Sequence, residues 1–133
     1  MAKIVEEVMS KDLRCCSITA TVPDVAHIMT AYDVSSVVVL DEDGYLAGIV
    51  TRTDLVALRG SEEYWHGLTA GHVMKTDVVT CLPATPMRDA SKMLVQKSIH
   101  RLVVVENTDS GNRVRPVGVL SQTDIVRDMA LSS

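Results

Sequence analysis

The chain of 133 residues carries a formal net charge of -4, and 47% of its residues are apolar. This size and composition indicate one globular domain with a substantial core, and the acidic balance argues against non-specific binding to nucleic acids or acidic membranes. No apolar run is long enough to span a bilayer, and Glu6 and Glu7 lie where a signal peptide would be apolar, so we expect a cytoplasmic protein.

The first half of the chain is predicted to form a strand, a helix, two strands and a helix. Thr21 is the expected N-cap of the first helix, because Asp24 follows three residues later as in a capping box. The apolar run at 36–40 predicts a strand that is covered on both faces. The expected elements are a strand at 13–17, a helix beginning at Thr21, strands at 36–40 and 46–50 joined by a turn at 41–44, and a helix from about Thr53 to Leu58.

The second half is predicted to repeat this order. Thr85 is expected to cap its first helix, with Pro86 at the first helical position. The segment 60–71 between the halves is predicted to be a semi-ordered linker in which Trp65 is a packing anchor. The expected elements are a strand at 78–81, the helix that follows Thr85, strands at 102–105 and 116–120, and a closing helix at 124–131.

One motif occurs twice. Residues 48–55 read Gly-Ile-Val-Thr-Arg-Thr-Asp-Leu, and residues 118–125 read Gly-Val-Leu-Ser-Gln-Thr-Asp-Ile. A Val-Met pair also recurs upstream, at 8–9 and at 73–74, and the second copy has extra residues around 107–115, as at a hairpin tip. The period of about 65 residues is too long for a typical solenoid. We therefore predict two copies of one half-domain, 1–66 with the linker and 67–133, that form one module together.

The repeated motif places a hydroxyl and a carboxylate side by side. Thr51 ends a strand and Asp54 follows in the first turn of the next helix, so both side chains can face one crevice. A carboxylate there can accept two hydroxyl hydrogen bonds, as a ribose diol would offer, and the helix N-terminus suits an anion. Ser121 and Asp124 repeat this arrangement. The alternative is that both pairs only cap their helices.

Two further features of the motif region bear on a ligand. His100 and Arg101 precede the second Val-rich strand, where imidazole and guanidinium groups could hold a phosphate. The alternative is a solvated Arg101 that pairs with a local acid such as Glu106. The corresponding residues of the first copy, Ser35 and Ser36, carry no charge. The small size of Gly48 indicates the close approach of another backbone or of a ligand.

The remaining chemistry of the chain points away from catalysis and metals. Cys16 and Cys81 are equivalent in the repeat and are interpreted as small buried apolar residues. No Cys or His spacing resembles a zinc site, no nucleophile is paired with a base, and no phosphate-binding loop is present, so we expect no metal site and no enzyme. Core positions are predicted for four methionines, at 29, 87, 93 and 129.

With its paired motifs, its Val-Met pairs and the apolar strand before each turn, the chain resembles a tandem pair of CBS domains, often called a Bateman module. The resemblance covers nearly everything from Val5 to Met129. It implies an α/β fold in which two β-α-β-β-α repeats pack with pseudo-two-fold symmetry, two clefts between them, and a homodimer. Many members have a Pro in the strand after the basic pair, where this chain has Val38 and Val103.

The resemblance also implies a nucleotide site in each copy. Ribose would be held by Thr51 with Asp54 and by Ser121 with Asp124. The basic pair His100 and Arg101 would hold phosphate, with Ser36 at the corresponding place in the first copy, where phosphate binding is in doubt. The segment around each first strand lines the adenine pocket in the family, which places Cys16 and Cys81 near the base.

These implications lead to the expectation of a regulatory module that senses AMP, ADP, ATP or S-adenosylmethionine. It would require no cofactor, and ligand binding would change how the two repeats pack and thereby bias a homodimer or a regulated protein. The alternative is a ligand-independent dimerisation or protein-interaction module, in which Asp54 and Asp124 serve only as caps.

Overall fold

The structure, a computed structural model, describes residues 2–108 and 111–132. Over these residues, six strands and four of the five α-helices follow the predicted order, so the prediction of two β-α-β-β-α copies in an α/β fold is confirmed; the fifth, a short helix at Ala70–Val73, was not predicted. Two short 3-10 helices lie at Val5–Glu7 and Trp65–Gly67. The first copy contains β1 (Cys15–Ser17), α1 (Val22–Tyr32), β2 (Ser36–Leu40), β3 (Leu46–Thr51) and α2 (Arg52–Ser61). The rest of the chain contains α3 (Ala70–Val73), β4 (Thr80–Cys81), α4 (Met87–Gln96), β5 (Arg101–Asn107), β6 (Val114–Ser121) and α5 (Gln122–Leu131).

Packing divides the chain into two compact units. The first unit is Arg14–Val78, and the second unit joins the chain before Arg14 to the chain from Val79 onward. The boundaries of the sequence repeats therefore differ from the boundaries of the packing units. The segment before β1 belongs to the unit that contains β4, and the segment 70–78 belongs to the unit that contains β1.

Each unit has one three-stranded sheet of the same topology. In the first unit β1 pairs with β2 in parallel, and β2 pairs with β3 in antiparallel orientation. β4, β5 and β6 repeat this order, and a register shift interrupts each antiparallel ladder at the same place, after Val39 and after Val104. The register puts Ser36 opposite Thr51 in the first unit and Arg101 opposite Ser121 in the second.

Each unit also has its own hydrophobic core. The core of the first unit consists of Val25, Met29, Val37, Val39, Val50 and Ala70. The core of the second unit consists of Val5, Cys81, Ala90, Leu94, Leu102, Val104 and Leu120. Val38 and Val103 point to the opposite face of each sheet and are buried as well. The prediction of a central strand covered on both faces is confirmed.

The start of α4 differs from the prediction. Pro86 is the N-cap and not the first helical residue, and it makes no side-chain cap. The hydroxyl of Thr85 instead accepts the N–H of Leu82 at 3.0 Å, closing the turn before the helix. The first N–H of α4, on Met87, donates to the carbonyl of Lys3 at 3.0 Å. The N-terminal segment therefore satisfies one of the first N–H groups that the helix itself leaves without a partner.

The segment 60–71 is ordered, contrary to the prediction of a semi-ordered linker. α2 extends to Ser61, a 3-10 turn follows at Trp65–Gly67, and α3 begins at Ala70. Ala70 is fully buried whereas Trp65 is only half-buried beside the guanidinium of Arg59, 5.9 Å from its ring. The anchor of the segment is therefore the small residue rather than the aromatic one.

Two further predictions concern the methionines and the hairpin insertion. Met129 is 68% exposed, so its predicted core position was wrong, whereas Met29 is buried and Met87 and Met93 pack against the core of the second unit. The apolar periodicity of α5 indicated an inward face but could not show which of its apolar residues the sheet would cover. Residues 109 and 110, inside the predicted hairpin insertion, lie outside the described residues.

Candidate functional site

The glycine of each motif makes room for a passing backbone. A Cβ on Gly48 would lie 2.7 Å from the carbonyl oxygen of Lys75 and 2.6 Å from the sulfur of Met74. A Cβ on Gly118 would lie 2.7 Å from the carbonyl oxygen of Ser10 and 3.0 Å from the sulfur of Met9. Of the two predicted reasons for a small residue here, the close approach of another backbone is the one observed. Each Val-Met pair therefore belongs to the segment that passes the motif strand at its glycine, which we call the crossing segment.

The hydroxyl and carboxylate of each motif form a reciprocal capping box. The N–H of Asp54 donates to Thr51 Oγ1 at 3.2 Å, and the N–H of Thr51 donates to Asp54 Oδ2 at 2.8 Å. The corresponding distances for Ser121 and Asp124 are 3.1 Å and 2.9 Å. The predicted capping role of both pairs is confirmed, and the same box at Thr21 shows that it is a general device of this chain.

Capping leaves each carboxylate with unused acceptor capacity. Oδ2 serves the cap, whereas Oδ1 of Asp54 lies 3.3 Å from the ammonium of Lys75 and Oδ1 of Asp124 lies 3.9 Å from the guanidinium of Arg127. The side chains of Asp54 and Asp124 are only 10% and 15% exposed. Because a carboxylate offers about four lone-pair sites, a cap and a hydroxylated ligand can share it. The capping and binding interpretations are therefore compatible.

The residues before each central strand lie beside the motif of their own unit. The N–H of Gln122, the first residue of α5, donates to the carbonyl of His100 at 3.0 Å, and the N–H of Arg52 donates to Ser35 at the same distance. His100 Nδ1 is also 3.4 Å from the side-chain oxygen of Gln122. Together with the strand register opposite Ser121, these contacts bring His100 and Arg101 to the second motif.

The two predicted cysteines lie in the first strands of the two copies. Cys16 in β1 pairs with Val39, and Cys81 in β4 pairs with Val104. Burial raises the pKa of the Cys81 thiol to about 11. Burial, followed by the nearby Cys15 and Asp24, also raises the pKa of Cys16 to about 11. Both thiols are protonated at neutral pH and act as small apolar groups, and their proximity to an adenine ring stays a prediction.

Three cations beside the motifs were missed in the sequence. Arg127 lies one helical turn after Asp124, a spacing that would have revealed it. Arg52 follows Thr51 directly but is not among the residues predicted for the site. Lys75 reaches Asp54 only because its segment crosses β3, where its backbone exchanges two hydrogen bonds with Ile49. No local pattern in the sequence indicates that crossing.

Neither a group of metal-ligating side chains nor a helix that could span a membrane is found in the described part of the chain. Across residues 2–108 and 111–132, no three His, Cys, Asp or Glu side chains are grouped so that they could hold a metal ion. None of the helices described by the structure has the length and apolar character needed to cross a bilayer.

Comparison with known proteins finds one family over almost the whole chain. The family model of the CBS domain matches residues 5–60 and again residues 70–131. The chain is 29% identical over 126 residues to the 5'-AMP-activated protein kinase subunit gamma-3 of Sus scrofa, which covers 85% of this chain and 24% of that protein. It is 30% identical over 106 residues to the CBS domain-containing protein YhcV of Bacillus subtilis, which covers 79% of this chain and 74% of that protein. The chain thus spans about a quarter of the length of the kinase subunit.

Solved structures share the fold. The CBS domain pair of protein MJ0100, in complex with 5'-methylthioadenosine and S-adenosyl-L-methionine, superposes with a TM-score of 0.87 at 20% identity, and each chain is covered completely. CBSX2 in complex with AMP superposes with a TM-score of 0.80 at 24% identity, covering 96% of both chains. At these identities the superpositions show the architecture alone.

Proposed function

Since this chain belongs to the CBS domain family and carries two tandem copies of that domain, we propose that it is a regulatory module that binds an adenosine-containing ligand. The proposed role is binding and not catalysis. The candidate ligands are AMP, ADP, ATP and S-adenosylmethionine. Three comparisons support this class: the kinase is named for activation by AMP, one solved structure holds AMP, and the other holds 5'-methylthioadenosine and S-adenosyl-L-methionine.

The observation that carries the proposal is the duplicated, largely buried carboxylate beside a helix N-terminus. Asp54 and Asp124 each hold a cap with one oxygen and present the other to a cation at the edge of solvent. Capping uses only one of the two oxygens, and a ribose diol would supply two donors to the acceptor capacity that remains. The N–H groups at the start of α2 and α5 add favourable partial charge for an anionic ligand.

The proposed roles follow the geometry of each unit. Thr51 with Asp54 and Ser121 with Asp124 would hold ribose. In the second unit His100 and Arg101 would hold phosphate, because both lie beside Ser121 and Gln122 and carry the appropriate donors. Ser36 takes the place of Arg101 in the first unit. Cys16 and Cys81 would face the adenine ring with apolar thiols.

Regulation would follow from a difference in ligand affinity between two conformations of the protein. A ligand shifts such an equilibrium only by the ratio of its affinities for the two states. A tenfold ratio corresponds to about 1.4 kcal/mol, which a single charge-assisted hydrogen bond made in one state could supply. The regulated partner would be a protein that contacts one of these states.

Isothermal titration with AMP, ADP, ATP and S-adenosylmethionine tests the proposal. Asp124→Asn keeps one oxygen for the cap but replaces the other with a donor, so ligand affinity should fall by about tenfold or more while the fold is retained. Asp24→Asn makes the same change in the capping box of α1, in the other unit. It is the matched control and should leave affinity at the second site unchanged.

A second variant separates phosphate from ribose recognition. Arg101→Gln should weaken binding of AMP more than binding of adenosine, with Arg88→Gln on the exposed face of α4 as the control. If folded wild-type protein binds none of the four ligands, the proposed ligand class is wrong. It is also wrong if Asp124→Asn binds them as tightly as the control Asp24→Asn does.

One observation favours an additional role in self-association. Helices α2 and α5 have no fully buried residue, and Val56, Val126 and Met129 on them are 72%, 65% and 68% exposed. We propose that a second copy of this chain covers these apolar side chains in a homodimer. Val126→Asp should then lower the mass measured by light scattering at micromolar concentration, whereas Val95→Asp on the exposed face of α4 should not. Equal masses for all three proteins would exclude this interface.

A further inference from the structure

The first unit lacks a basic residue at Ser35 and Ser36, yet its motif is not without positive charge. Lys75 places its ammonium 3.3 Å from Asp54, and Arg52, the residue after Thr51, carries a guanidinium that pairs with Asp33. We infer that the first unit also selects an anionic nucleotide over the neutral nucleoside, with Lys75 and Arg52 as the groups that hold its phosphate. This inference rests on the proposed function and concerns which ligand the first unit takes.

Lys75 is held in place by its backbone and not by its side chain. Its N–H donates to the carbonyl of Ile49 at 2.9 Å, and its carbonyl accepts the N–H of Ile49 at 3.0 Å. From this fixed position the ammonium reaches Asp54 Oδ1 at 3.3 Å. The ammonium has three donors and the side chain is 65% exposed, so donors remain for a ligand anion while Asp54 is held.

The equivalent residue in the second unit shows that a lysine is not needed for this crossing. Ser10 exchanges the same pair of backbone hydrogen bonds with Val119, at 2.9 Å and 3.0 Å. The geometry of the crossing is therefore the same with a serine as with a lysine. The charge of Lys75 is a feature of the first unit alone, and this is the unit that has Ser36 in place of Arg101.

Arg52 supplies the second cation from the first position of α2. Its N–H is fixed by the carbonyl of Ser35, and its guanidinium pairs with Asp33 at 3.2 Å. Both side chains of this pair are well exposed, at 55% and 98%, so the pair is weak and a ligand phosphate could displace the acid. The equivalent residue in the second unit is Gln122, which contacts His100 instead. The guanidinium therefore comes from the helix in the first unit and from the strand in the second.

The two units would therefore recognise the same class of ligand with different cations. The second unit offers an imidazole from His100 and a guanidinium from Arg101, the first residue of β5, whereas the first unit offers an ammonium from the crossing segment and a guanidinium from the helix. A guanidinium binds phosphate through a fixed fork and an ammonium binds as a compact point charge. Both arrangements favour AMP over adenosine.

Amide NMR can read each unit separately in the full chain. The N–H groups of Thr51 and Ser121 donate to the motif carboxylates, so their shifts should report ligand binding at Asp54 and at Asp124 respectively. AMP and adenosine would be titrated into the wild type, Lys75→Gln, Arg52→Gln and the control Arg59→Gln, which removes one charge from the far end of α2. Dispersed amide spectra would show that each variant is folded.

The readout is the ratio of AMP to adenosine affinity at the Thr51 amide. Lys75→Gln and Arg52→Gln should each lower this ratio by about three- to tenfold, with no change at Ser121 and none in Arg59→Gln. A ratio unchanged in both variants, while AMP still moves the Thr51 amide, overturns the inference but leaves the proposed function intact. If neither ligand moves either amide, the proposed function itself fails.

Discussion

Thr51 is a cap and a candidate ligand contact at once, and stability measurements separate the two roles. Thr51→Ala removes the acceptor of the Asp54 N–H and should lower the free energy of unfolding by about 1 kcal/mol, whereas Thr51→Ser should change it little. The measurement is urea denaturation of the ligand-free protein.

The matched control for Thr51 is Thr30, a threonine in the last turn of α1. Its hydroxyl donates to the carbonyl of Ala26 at 3.0 Å within the helix, an interaction that adds little to helix stability. Thr30→Ala should therefore be neutral or slightly stabilising. A Thr51→Ala variant as stable as Thr30→Ala would contradict the capping role.

The raised pKa of Cys81 gives a prediction about alkaline pH. Burial raises this pKa from 9.0 to about 11, so between these values the unfolded thiol has lost its proton while the folded thiol keeps it. The folded state then binds more protons, and stability falls as pH rises through this range. Cys81→Ala should flatten the fall in the free energy of unfolding between pH 9 and 11. If the free energy of unfolding falls equally steeply with pH in the wild type and the variant, the prediction is wrong.

The residues of the candidate site divide by how local their interactions are. Thr51 and Asp54 could be predicted because a capping box needs only a hydroxyl and an acid three residues apart. Lys75 could not, because its contact with Asp54 depends on a crossing of β3 that the residues around it do not encode. His100 and Arg101 stood out by charge, but only the strand register places Arg101 opposite Ser121.

At the scale of elements, each motif glycine is a packing requirement of a strand. Gly48→Ala would put a Cβ 2.7 Å from a backbone oxygen that cannot move without breaking the crossing. The variant should lose about 1–3 kcal/mol of stability. Gly60→Ala is the control, because a Cβ there meets nothing within 4 Å and the residue lies in α2. It should gain up to about 1 kcal/mol.

Thermal unfolding of both glycine variants checks this prediction. A Gly48→Ala protein that melts with the wild type would mean that the crossing segment can shift at little cost. The glycine would then have to be explained by something other than the backbone of Lys75, such as the approach of a ligand.

The elements that the sequence predicted well are those whose signals lie within the element. The strand 36–40 matches β2 at both ends, because a continuous apolar run ends at a polar turn. The start of α4 was misplaced because its first N–H is satisfied by Lys3, far away in the sequence. The predicted local cap does not form, because the hydroxyl of Thr85 accepts the N–H of Leu82.

At the scale of the whole molecule, the sequence could predict two copies but not which segment packs with which. A Val-Met pair precedes the first strand of both copies, so the two segments have similar apolar surfaces and the repeat itself is symmetric. Which segment packs with which copy is decided only by the packing of the folded chain. The second unit is thus built from two segments of the chain, and the residues of the first unit separate these segments in the sequence.

Val5 tests this assignment, because it is the fully buried residue that the N-terminal segment contributes to the core of the second unit. Its N–H also donates to the carbonyl of Thr85 at 2.9 Å. Val5→Ala removes two buried methyl groups and should cost about 2 kcal/mol, as lost burial plus a small cavity. The same change at Val95, which is 78% exposed, should cost less than about 0.5 kcal/mol.

Hydrogen exchange can show where the destabilisation by Val5→Ala is felt. The core around Val5 includes Leu102 in β5 and Leu120 in β6, whereas the core of the first unit is built from β2, β3, α1 and α3 without any N-terminal residue. Amides of β5 and β6 should therefore lose more protection than those of β2 and β3. If β2 and β3 lost protection first, the N-terminal segment would have to stabilise the first unit, and the division of the chain into its two packing units would be wrong.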